Sequence, residues 1–311
     1  MKTGIKKVLC PTFLGLLFVL WSGIHGTWAN PIVFSCLSDG GNLEICTINS
    51  DGTGHQNLTN STNINEFYPT RSPDRMQILF MESGGSAASF YLMSSDGDNI
   101  TLLKKEHWAR TRPTWSPDGM KIAYGGVDSF FIFNLRTKIE EKVRISARHL
   151  IRDIAWSPDG HRIAFSSLDQ RQVYVINVDG TNLQELTSDT DIPHSHNRSP
   201  TWSPDGQQIA FSSSRNESGG IFLMDADGRN VRELTNGGEG FPSWSPDGSQ
   251  IAFSVAGYIG VIDVDGNNLK LLTEGHSPSW QSTFPGPTTA VSPVEMGIAV
   301  WGAIKSDGGL K

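Results

Sequence analysis

The densest cluster of polar side chains in the sequence lies around His194, His196 and Arg198. Two histidines at positions i and i+2 of an extended segment point to the same side, as a pair of metal ligands would. Corresponding segments elsewhere carry further side chains that could converge with them: Glu66, His149, Glu239 and His276. Arginines take similar places: Arg110, Arg152 and Arg198. Because so few ligands align, the pattern favours a solvated loop, with His194 and His196 as weak metal candidates and no cofactor.

Two other patterns that could do chemistry have a simpler interpretation. The Asp-x-Asp-Gly phrases, such as Asp225–Gly228 and Asp263–Gly266, superficially resemble calcium loops. An EF-hand loop needs glycine at its sixth position and glutamate at its twelfth, whereas glycine is fourth here, so hairpin turns fit better. The sequence also contains no nucleophile elbow, glycine-rich phosphate loop or HExxH motif, and its serines occur in turn phrases. We therefore assign no catalytic residue and favour a protein that is not an enzyme.

A recurring phrase indicates which elements position these residues. Trp-Ser-Pro-Asp-Gly starts at four places: Trp115, Trp156, Trp202 and Trp244. Arg71 begins a variant that reads Arg-Ser-Pro-Asp-Arg, and Trp280 marks a remnant of the phrase. The successive spacings are 44, 41, 46, 42 and 36 residues. A period near 42 residues is typical of one blade of a β-propeller.

Each repeat reads as four short strands joined by tight turns. A strand such as Ile163–Phe165 follows the glycine, a third strand ends in Asp-Gly, and a fourth closes with Leu-Thr. In Ser-Pro-Asp-Gly, proline presets φ and glycine accepts the left-handed conformation, which is the chemistry of a hairpin turn. Because the strands are apolar on both faces, we expect stacked sheets with the repeated tryptophan between them. The tryptophans with this structural role are Trp115, Trp156, Trp202, Trp244 and Trp280.

The order of the strands predicts how the ring closes. The chain enters the pattern in mid-repeat, with Ile32–Phe34 as a second strand, and it ends the repeats with a lone first strand around 277–281. The two ends then complete one blade between them. This predicts an all-β, six-bladed propeller of four-stranded antiparallel blades, closed when the C-terminal strand joins the N-terminal blade. The third blade departs from the pattern, since Arg136–Lys138 replace its Asp-Gly turn.

The unit Trp-Ser-Pro-Asp-Gly-x-x-Ile-Ala-Phe resembles the repeat of TolB-type propellers, also called PD40 or WD40-like repeats. The resemblance covers residues 30–281 and implies the propeller fold. TolB proteins are periplasmic, dock to the Tol–Pal envelope system and carry an additional α/β domain before the propeller, which we expect this chain to lack. Some TolB-like lyases hold a metal in a histidine-rich channel. Relatives of prolyl oligopeptidase add a peptidase domain, for which this chain has no room.

The segment before the repeats predicts an exported protein. Residues 1–29 join a lysine-containing start to a short apolar stretch and end at Ala29, with small residues at the −3 and −1 positions of a cleavage site, as in a secretory signal. The apolar stretch is too short for a membrane anchor, and Pro11 interrupts it. We expect a periplasmic or secreted protein with no membrane span after cleavage. Loss of three lysines changes its net charge to −7 − 3 = −10.

Residues 282–311 read as a linker rich in Pro, Ser and Thr, followed by a short apolar tail. The tail could be a terminus without fixed structure, a docking or sorting motif anchored by Trp301, or a short element packed on the propeller. Composition limits the protein class, because 18% charged and 37% hydrophobic residues exclude a disordered chain and a polytopic membrane protein. The acidic net charge argues against a nucleic-acid partner.

Cys36 and Cys46 are the two cysteines that would stay after signal cleavage. Alignment of the repeats places Cys46 opposite Phe34 and Cys36 opposite Glu44, so that the cysteines are diagonal neighbours on one face. Diagonal Cα atoms lie about 7–8 Å apart, whereas a disulfide spans about 4.4–6.8 Å. An oxidising compartment permits the bond. The sequence alone therefore leaves a disulfide between them open.

The candidate binding surface lies where the segments that join the fourth strand of one blade to the first strand of the next converge around the channel. We call this side of the ring the mouth face. Its candidate partner-binding residues are Glu66, Tyr68, Trp108, Arg110, Arg112, Arg152, Asp153, His194, His196, Arg198, Glu239 and Phe241. Arg112 and Arg152 would supply charge, and Tyr68, Trp108 and Phe241 would supply contact area.

These residues predict a monomeric, exported interaction scaffold that binds a protein or peptide partner. Two alternatives stay open. The first is a carbohydrate-binding or carbohydrate-cleaving propeller with a ligand or metal in its central channel. The second is an accessory subunit whose partner domain is encoded elsewhere.

Overall fold

The computed structural model describes seven stretches of the chain, which are residues 31–84, 87–106, 111–145, 149–188, 195–216, 218–237 and 240–280. These stretches contain strands and turns and no helix, and the strands form six four-stranded antiparallel sheets. The predicted six-bladed β-propeller is therefore confirmed. The predicted signal segment 1–29 and the linker and tail 282–311 lie outside the described residues.

The blades follow one another along the chain. Blade 1 contains β1 (Ile32–Leu37), β2 (Leu43–Ile48) and β3 (Gln56–Asn57). Blade 2 contains β4 (Asn65–Arg71), β5 (Gln77–Gly84), β6 (Ala87–Ser94) and β7 (Thr101–Glu106). Blade 3 contains β8 (Thr114–Trp115), β9 (Lys121–Gly125), β10 (Ser129–Asn134) and β11 (Glu140–Arg144).

The second half of the ring repeats the same order. Blade 4 contains β12 (Ile151–Trp156), β13 (Arg162–Ser167), β14 (Val173–Asn177) and β15 (Gln184–Glu185). Blade 5 contains β16 (Asn197–Trp202), β17 (Gln208–Ser213), β18 (Gly220–Asp225) and β19 (Arg232–Glu233). Blade 6 contains β20 (Gly240–Trp244), β21 (Gln250–Val255), β22 (Tyr258–Asp263) and β23 (Lys270–Glu274).

The last strand closes the ring, as the sequence predicts. β24 (His276–Ser279) pairs antiparallel with β1 and completes blade 1 in the order β24-β1-β2-β3. The paired positions are Val33 with Ser279 and Ser35 with His276, and a register shift lies between them. The first and last strands of the propeller therefore belong to one sheet, which leaves no unpaired inner strand in the ring.

The core lies between the blades, because each sheet buries both of its faces. Trp115 packs with Leu79 and Phe90 of blade 2 and with Ile122 of its own blade, and each later tryptophan takes the equivalent place between its blade and the preceding one. Arg71 stands where the junction between blades 1 and 2 would have its tryptophan.

The Ser-Pro-Asp-Gly turns show what the serine, the aspartate and the glycine of the phrase contribute. In blade 3, Ser116 Oγ donates to Asp118 Oδ1 at 2.5 Å, and the backbone N–H of Met120 donates to the same oxygen at 2.9 Å. Gly119 has φ +70° and its N–H donates to the carbonyl of Ser116 at 2.9 Å. The glycine thus adopts the left-handed conformation that the sequence predicts. In the irregular turn of blade 3, Lys138 has φ +59°.

Cys36 and Cys46 form a disulfide between β1 and β2. The register is the one that the repeat alignment predicts, with Phe34 opposite Cys46 and Cys36 opposite Glu44. The Cα atoms lie 5.8 Å apart, closer than the roughly 7–8 Å expected for diagonal positions. The right-handed twist of a hairpin shortens one diagonal, which brings this pair within disulfide range.

Candidate functional site

One residue from each blade forms a ring around the channel on the mouth face. Each of these residues lies three positions before the repeated tryptophan, or before Arg71 in blade 2. We call this set the mouth ring: Tyr68, Arg112, Asp153, Ser199, Phe241 and Ser277. Because the repeats fold alike, residues at the same position of each repeat lie at the same level along the channel axis.

The backbone of the mouth ring departs from regular strand geometry. Four of its residues have φ between +52° and +55°: Tyr68, Ser199, Phe241 and Ser277. The register of the inner strand shifts at the same place in blades 2, 4, 5 and 6. These shifts are β-bulges, which re-aim side chains at the edges of sheets. The bulges separate the ring from the regular part of each inner strand.

Side chains from opposite blades meet in the ring. The guanidinium of Arg112 lies 5.5 Å from the ring centroid of Phe241, and its Nη2 donates to the carbonyl oxygen of Pro278 at 2.7 Å. The centroids of Tyr68 and Phe241 are 5.8 Å apart. Burial lowers the pKa of Arg112, while the charge of Asp153 acts in the opposite direction. Arg112 therefore crosses the channel mouth as part of its structure.

Asp153 ties two neighbouring blades together. It is buried, and its Oδ2 accepts hydrogen bonds from Ser199 Oγ at 3.1 Å, the Ser199 N–H at 3.2 Å and Ser166 Oγ at 3.2 Å. Asp153 also faces Arg112 in a parallel β-bridge. A buried carboxylate with three donors and a nearby guanidinium is well satisfied, so Asp153 has a positioning role in the ring.

Other candidate residues lie at different depths. Arg152 is half-buried, while His196 and Arg198 are exposed. Glu66 is buried, accepts a hydrogen bond from Thr59 Oγ1, and has its pKa raised by burial. Glu66 therefore lies buried between blade 2 and the segment that follows β3 of blade 1. Four predicted site residues lie outside the described residues: Trp108, Arg110, His194 and Glu239.

The histidines proposed as additional ligands do not meet. His149 is buried, contacts the ring of Tyr174 at a centroid distance of 4.5 Å, and its Nδ1 lies 3.1 Å from Ser167 Oγ. His276 is exposed on β24. Within the described ranges, no group of three or more His, Cys, Asp or Glu side chains is placed to hold a metal ion. The same ranges contain no helix with the length and hydropathy of a membrane span.

Sequence reasoning missed Ser199 and Ser277 as members of the ring. A signal for both was present, because they share with Arg112 the position three residues before the repeated tryptophan. Taking the residue three positions before the tryptophan, or its substitute, in every repeat identifies all six ring positions, whereas inspection of the loops alone does not.

The channel contains a cavity of about 90 Å³, which Arg112, Asp153 and Ser199 of the mouth ring help to line. Its walls include Thr70 and five tryptophans: Trp115, Trp156, Trp202, Trp244 and Trp280. Binding sites for small molecules usually measure about 300–1,000 Å³. The cavity has room for a few water molecules, at roughly 30 Å³ each. The geometry therefore favours contact with the mouth face over insertion of a ligand into the channel.

A family model and two solved structures all relate this chain to TolB β-propellers. A family model described as the TolB β-propeller domain (PD40) matches residues 86–288. TolB from Acinetobacter baumannii superposes with a TM-score of 0.69 at 19% identity, over 80% of this chain and 66% of that chain. This chain thus spans about two thirds of its length. The putative TolB from Agrobacterium tumefaciens gives 0.61 at 21% identity, over 79% and 91%.

Other propellers share the architecture. Oligogalacturonate lyase from Vibrio parahaemolyticus superposes with a TM-score of 0.51 at 13% identity, over 79% of this chain and 80% of that chain. No curated protein matches the sequence. At such identities the similarities between structures establish the fold alone, so activity must be argued from the site.

Proposed function

Because the chain belongs to the TolB β-propeller domain family, we propose that it is an exported, non-enzymatic scaffold that binds a protein or peptide partner at its mouth face. The observation that carries this proposal is the mouth ring, in which Arg112, Tyr68 and Phe241 converge from three blades. Arginine and aromatic residues are the types most enriched at the energetic centres of interfaces. The scaffold role also fits the repeat, because its recurring phrase consists of turn and core residues that serve folding and offers no catalytic group.

Backbone strain supports a role for the same ring. Left-handed φ values cost aromatic residues about 1–2 kcal/mol each, and such strain persists mainly where function requires it. Tyr68 and Phe241 both adopt this conformation, at φ +52° and +55°. The strain places two large rings side by side at the centre of the mouth face, where a partner would gain contact area.

The charges around the ring favour an acidic partner. Arg152 and Arg198 belong to neighbouring blades and occupy the same sequence position, four residues before the repeated tryptophan. In the described part of the chain, neither forms an ion pair. Two cations without an ion-pair partner among the described residues, on a protein of net charge −7, create a local positive field, which would steer an acidic peptide or protein towards the mouth.

Location follows as part of the proposal. We infer a periplasmic or secreted protein, with residues 1–29 as its signal, 30–281 as the propeller and 282–311 as a linker and tail. A monomer is expected, and partner binding at the mouth face requires no second copy.

The binding test uses Arg152→Ala together with Arg198→Ala. Partner capture from the native envelope fraction should fall at least about tenfold, because two charge-assisted contacts are lost. The melting temperature should change little, since neither arginine has a described partner. Arg112 is unsuitable as a first test because its replacement would also remove a hydrogen bond within the ring.

A matched control removes two arginines from the opposite face. Both arginines lie in turns between the third and fourth strands of their blades. Arg136→Ala with Arg229→Ala therefore changes the net charge by the same amount as the test variant. Capture should be unchanged in this control. Equal capture by both double variants and the unmodified protein would contradict the proposal.

A further inference from the structure

Blade 2 departs from the repeat at two positions, and both substitutes are arginine. Where four blades read Trp-Ser-Pro-Asp-Gly, blade 2 reads Arg71-Ser-Pro-Asp-Arg75. Arg71 is the last residue of β4 and lies opposite Ile78 of β5. The turn itself keeps its usual form, because the N–H of Arg75 donates to the carbonyl of Ser72 at 2.9 Å. The substitutions therefore change the chemistry at this point and preserve the fold.

Both guanidinium groups have unused donors. Arg71 is only 5% exposed, and its Nε is buried without a hydrogen-bond partner. The Nε of Arg75 is also buried without a partner. Neither arginine forms an ion pair within the described ranges. A buried donor without a hydrogen-bond partner is costly, so two such Nε groups at one turn, one on buried Arg71 and one on half-buried Arg75, require an explanation.

The nearest acid in the chain does not neutralise them. Asp74 lies between the two arginines in sequence, but its Oδ1 accepts from Ser72 Oγ at 2.5 Å and from the N–H of Met76 at 2.9 Å. Burial, and secondarily the like charge of Arg75, lowers the pKa of Arg71 to about 10. Arg71 therefore stays protonated at neutral pH and is affected by the charge of Arg75.

The backbone also accommodates Arg75 at a cost. Arg75 has φ +65°, in the place where glycine has φ +70° to +76° in the four regular turns. A side chain other than glycine is strained in this conformation. The strained position places a second arginine in the turn that follows Arg71, at the end of the inner strand opposite the mouth ring.

We propose that Arg71 and Arg75 form a binding site for a small oxyanion of the phosphate class. The edge of a guanidinium that includes Nε is one of the two forks that bind phosphate and carboxylate oxygens. Two cations match the charge of a dianion such as inorganic phosphate or a phosphoryl group. The burial of Arg71 restricts the ligand to a small group. Occupancy would stabilise the only junction of the described ring whose expected tryptophan is replaced by arginine.

The test measures binding of inorganic phosphate to the full chain by calorimetry and thermal unfolding, with chloride replacing phosphate at equal ionic strength. One site per chain is expected. At a phosphate concentration of roughly 100 times Kd, the melting temperature should rise by about 5 °C. Sulfate should act similarly and acetate should have little effect. An equal response to acetate would overturn the assignment to the phosphate class, and no response to any of these anions would overturn the site.

The variants come from the repeat itself. Arg71→Trp with Arg75→Gly restores the phrase used by four other blades, so the chain is expected to fold, and phosphate binding should disappear. Arg75→Gly alone keeps Arg71 and should weaken phosphate binding at least about tenfold. Arg162→Ala is the matched control, because Arg162 lies after the corresponding turn of blade 4 but already packs 4.7 Å from the Trp202 ring and pairs with Asp159 at 3.7 Å. Its phosphate response should be unchanged.

An equal phosphate response in the single or double variant and in the unmodified protein would overturn the site. The result is independent of partner binding at the mouth face. The double variant should capture the partner as the unmodified protein does.

Discussion

At the scale of single residues, strained backbone is concentrated at the candidate functional positions. Of the 15 residues other than glycine with positive φ in the described stretches, seven are Asn or Asp, which tolerate this conformation. Of the other eight, five belong to the candidate sites: Tyr68, Ser199, Phe241 and Ser277 of the mouth ring, and Arg75 of the proposed anion site. The remaining three lie in connections between strands of one blade: Lys138, Arg171 and Ala256.

The strain at Arg75 can be measured by restoring glycine. In phosphate-free chloride buffer, Arg75→Gly should raise the free energy of unfolding by up to about 1 kcal/mol, because relief of the left-handed strain exceeds the entropy cost of glycine. Gly119→Ala is the mirror experiment. Its added Cβ would lie 3.6 Å from Pro73, an ordinary contact, so the φ of +70° alone should lower stability by about 1 kcal/mol. Urea unfolding measures both. A destabilised Arg75→Gly would contradict the assignment of strain.

His149 predicts a specific pH dependence. Burial lowers its pKa below 6.5, while Asp169, Glu185 and Asp128 act in the opposite direction. Below about pH 6.5 the unfolded chain binds a proton that the folded chain resists, so the stability is lost as the pH falls towards the folded pKa. His149→Gln should therefore show a shallower loss of unfolding free energy between pH 7.5 and 5.5. Parallel pH profiles for both proteins would show that His149 is not responsible.

At the scale of elements, the hairpin of β1 and β2 is held both by strand pairing and by the disulfide between Cys36 and Cys46. The disulfide closes ten residues of chain at the blade that also accepts β24. Replacing Cys36 and Cys46 by serine should cost about 3 kcal/mol by the loop-entropy relation. Denatured, unreduced mature protein should show no titratable thiol. Two free thiols, together with unchanged stability of the double serine variant, would exclude the bond.

Most strands could be predicted because turn chemistry and burial agree in every repeat. Ser-Pro-Asp-Gly specifies a hairpin through local bonds, and the Ile-Ala-Phe strand that follows is buried in each regular blade. Blade 3 shows the limit, because its β10–β11 turn has no Asp-Gly and yet forms, with Lys138 at positive φ. Cross-strand pairing there overrides the local preference for glycine.

The candidate site could be predicted less completely because it depends on depth in the channel. The inter-blade loops correctly suggested Tyr68, Arg112 and Phe241 as neighbours, but nothing in the residue type of Glu66 shows that it lies buried against Thr59. Likewise, the contact of Arg112 with the carbonyl of Pro278 joins residues 166 positions apart. The strand order predicts that the ring closes, but local sequence patterns do not specify which side chains then meet across the channel.

At the scale of the whole molecule, the two faces of the ring serve different purposes. The face opposite the mouth carries the Ser-Pro-Asp-Gly turns, and the aspartates there stabilise their own turns. Asp118 and Asp247, for example, accept hydrogen bonds from neighbouring serines and backbone N–H groups. The mouth face instead presents residues that vary from blade to blade. The contacts between mouth-ring residues of different blades therefore depend on the blades being held in one closed ring, which makes β24 important for function as well as stability.

Ring closure can be tested by two truncations that differ only in β24. A chain ending at Gly275 loses β24 and Trp280, which is 5% exposed and whose backbone N–H donates to Ser243 Oγ at 2.8 Å. Loss of a buried tryptophan alone costs about 3–5 kcal/mol, which corresponds to a fall of at least about 6 °C in melting temperature.

The control chain ends at Ser282 and keeps β24. Its melting temperature should equal that of the unmodified protein if closure depends on the strand and not on the tail. The shorter chain should also associate as its concentration rises, since the free edge of β1 can pair with another molecule. If both truncations melt at the temperature of the unmodified protein, β24 adds nothing to closure. If both show the same loss, the stabilisation belongs to the tail. Only a loss confined to the shorter chain supports closure by strand exchange, because only then do the two ends of the chain hold the six blades in the arrangement that the mouth ring requires.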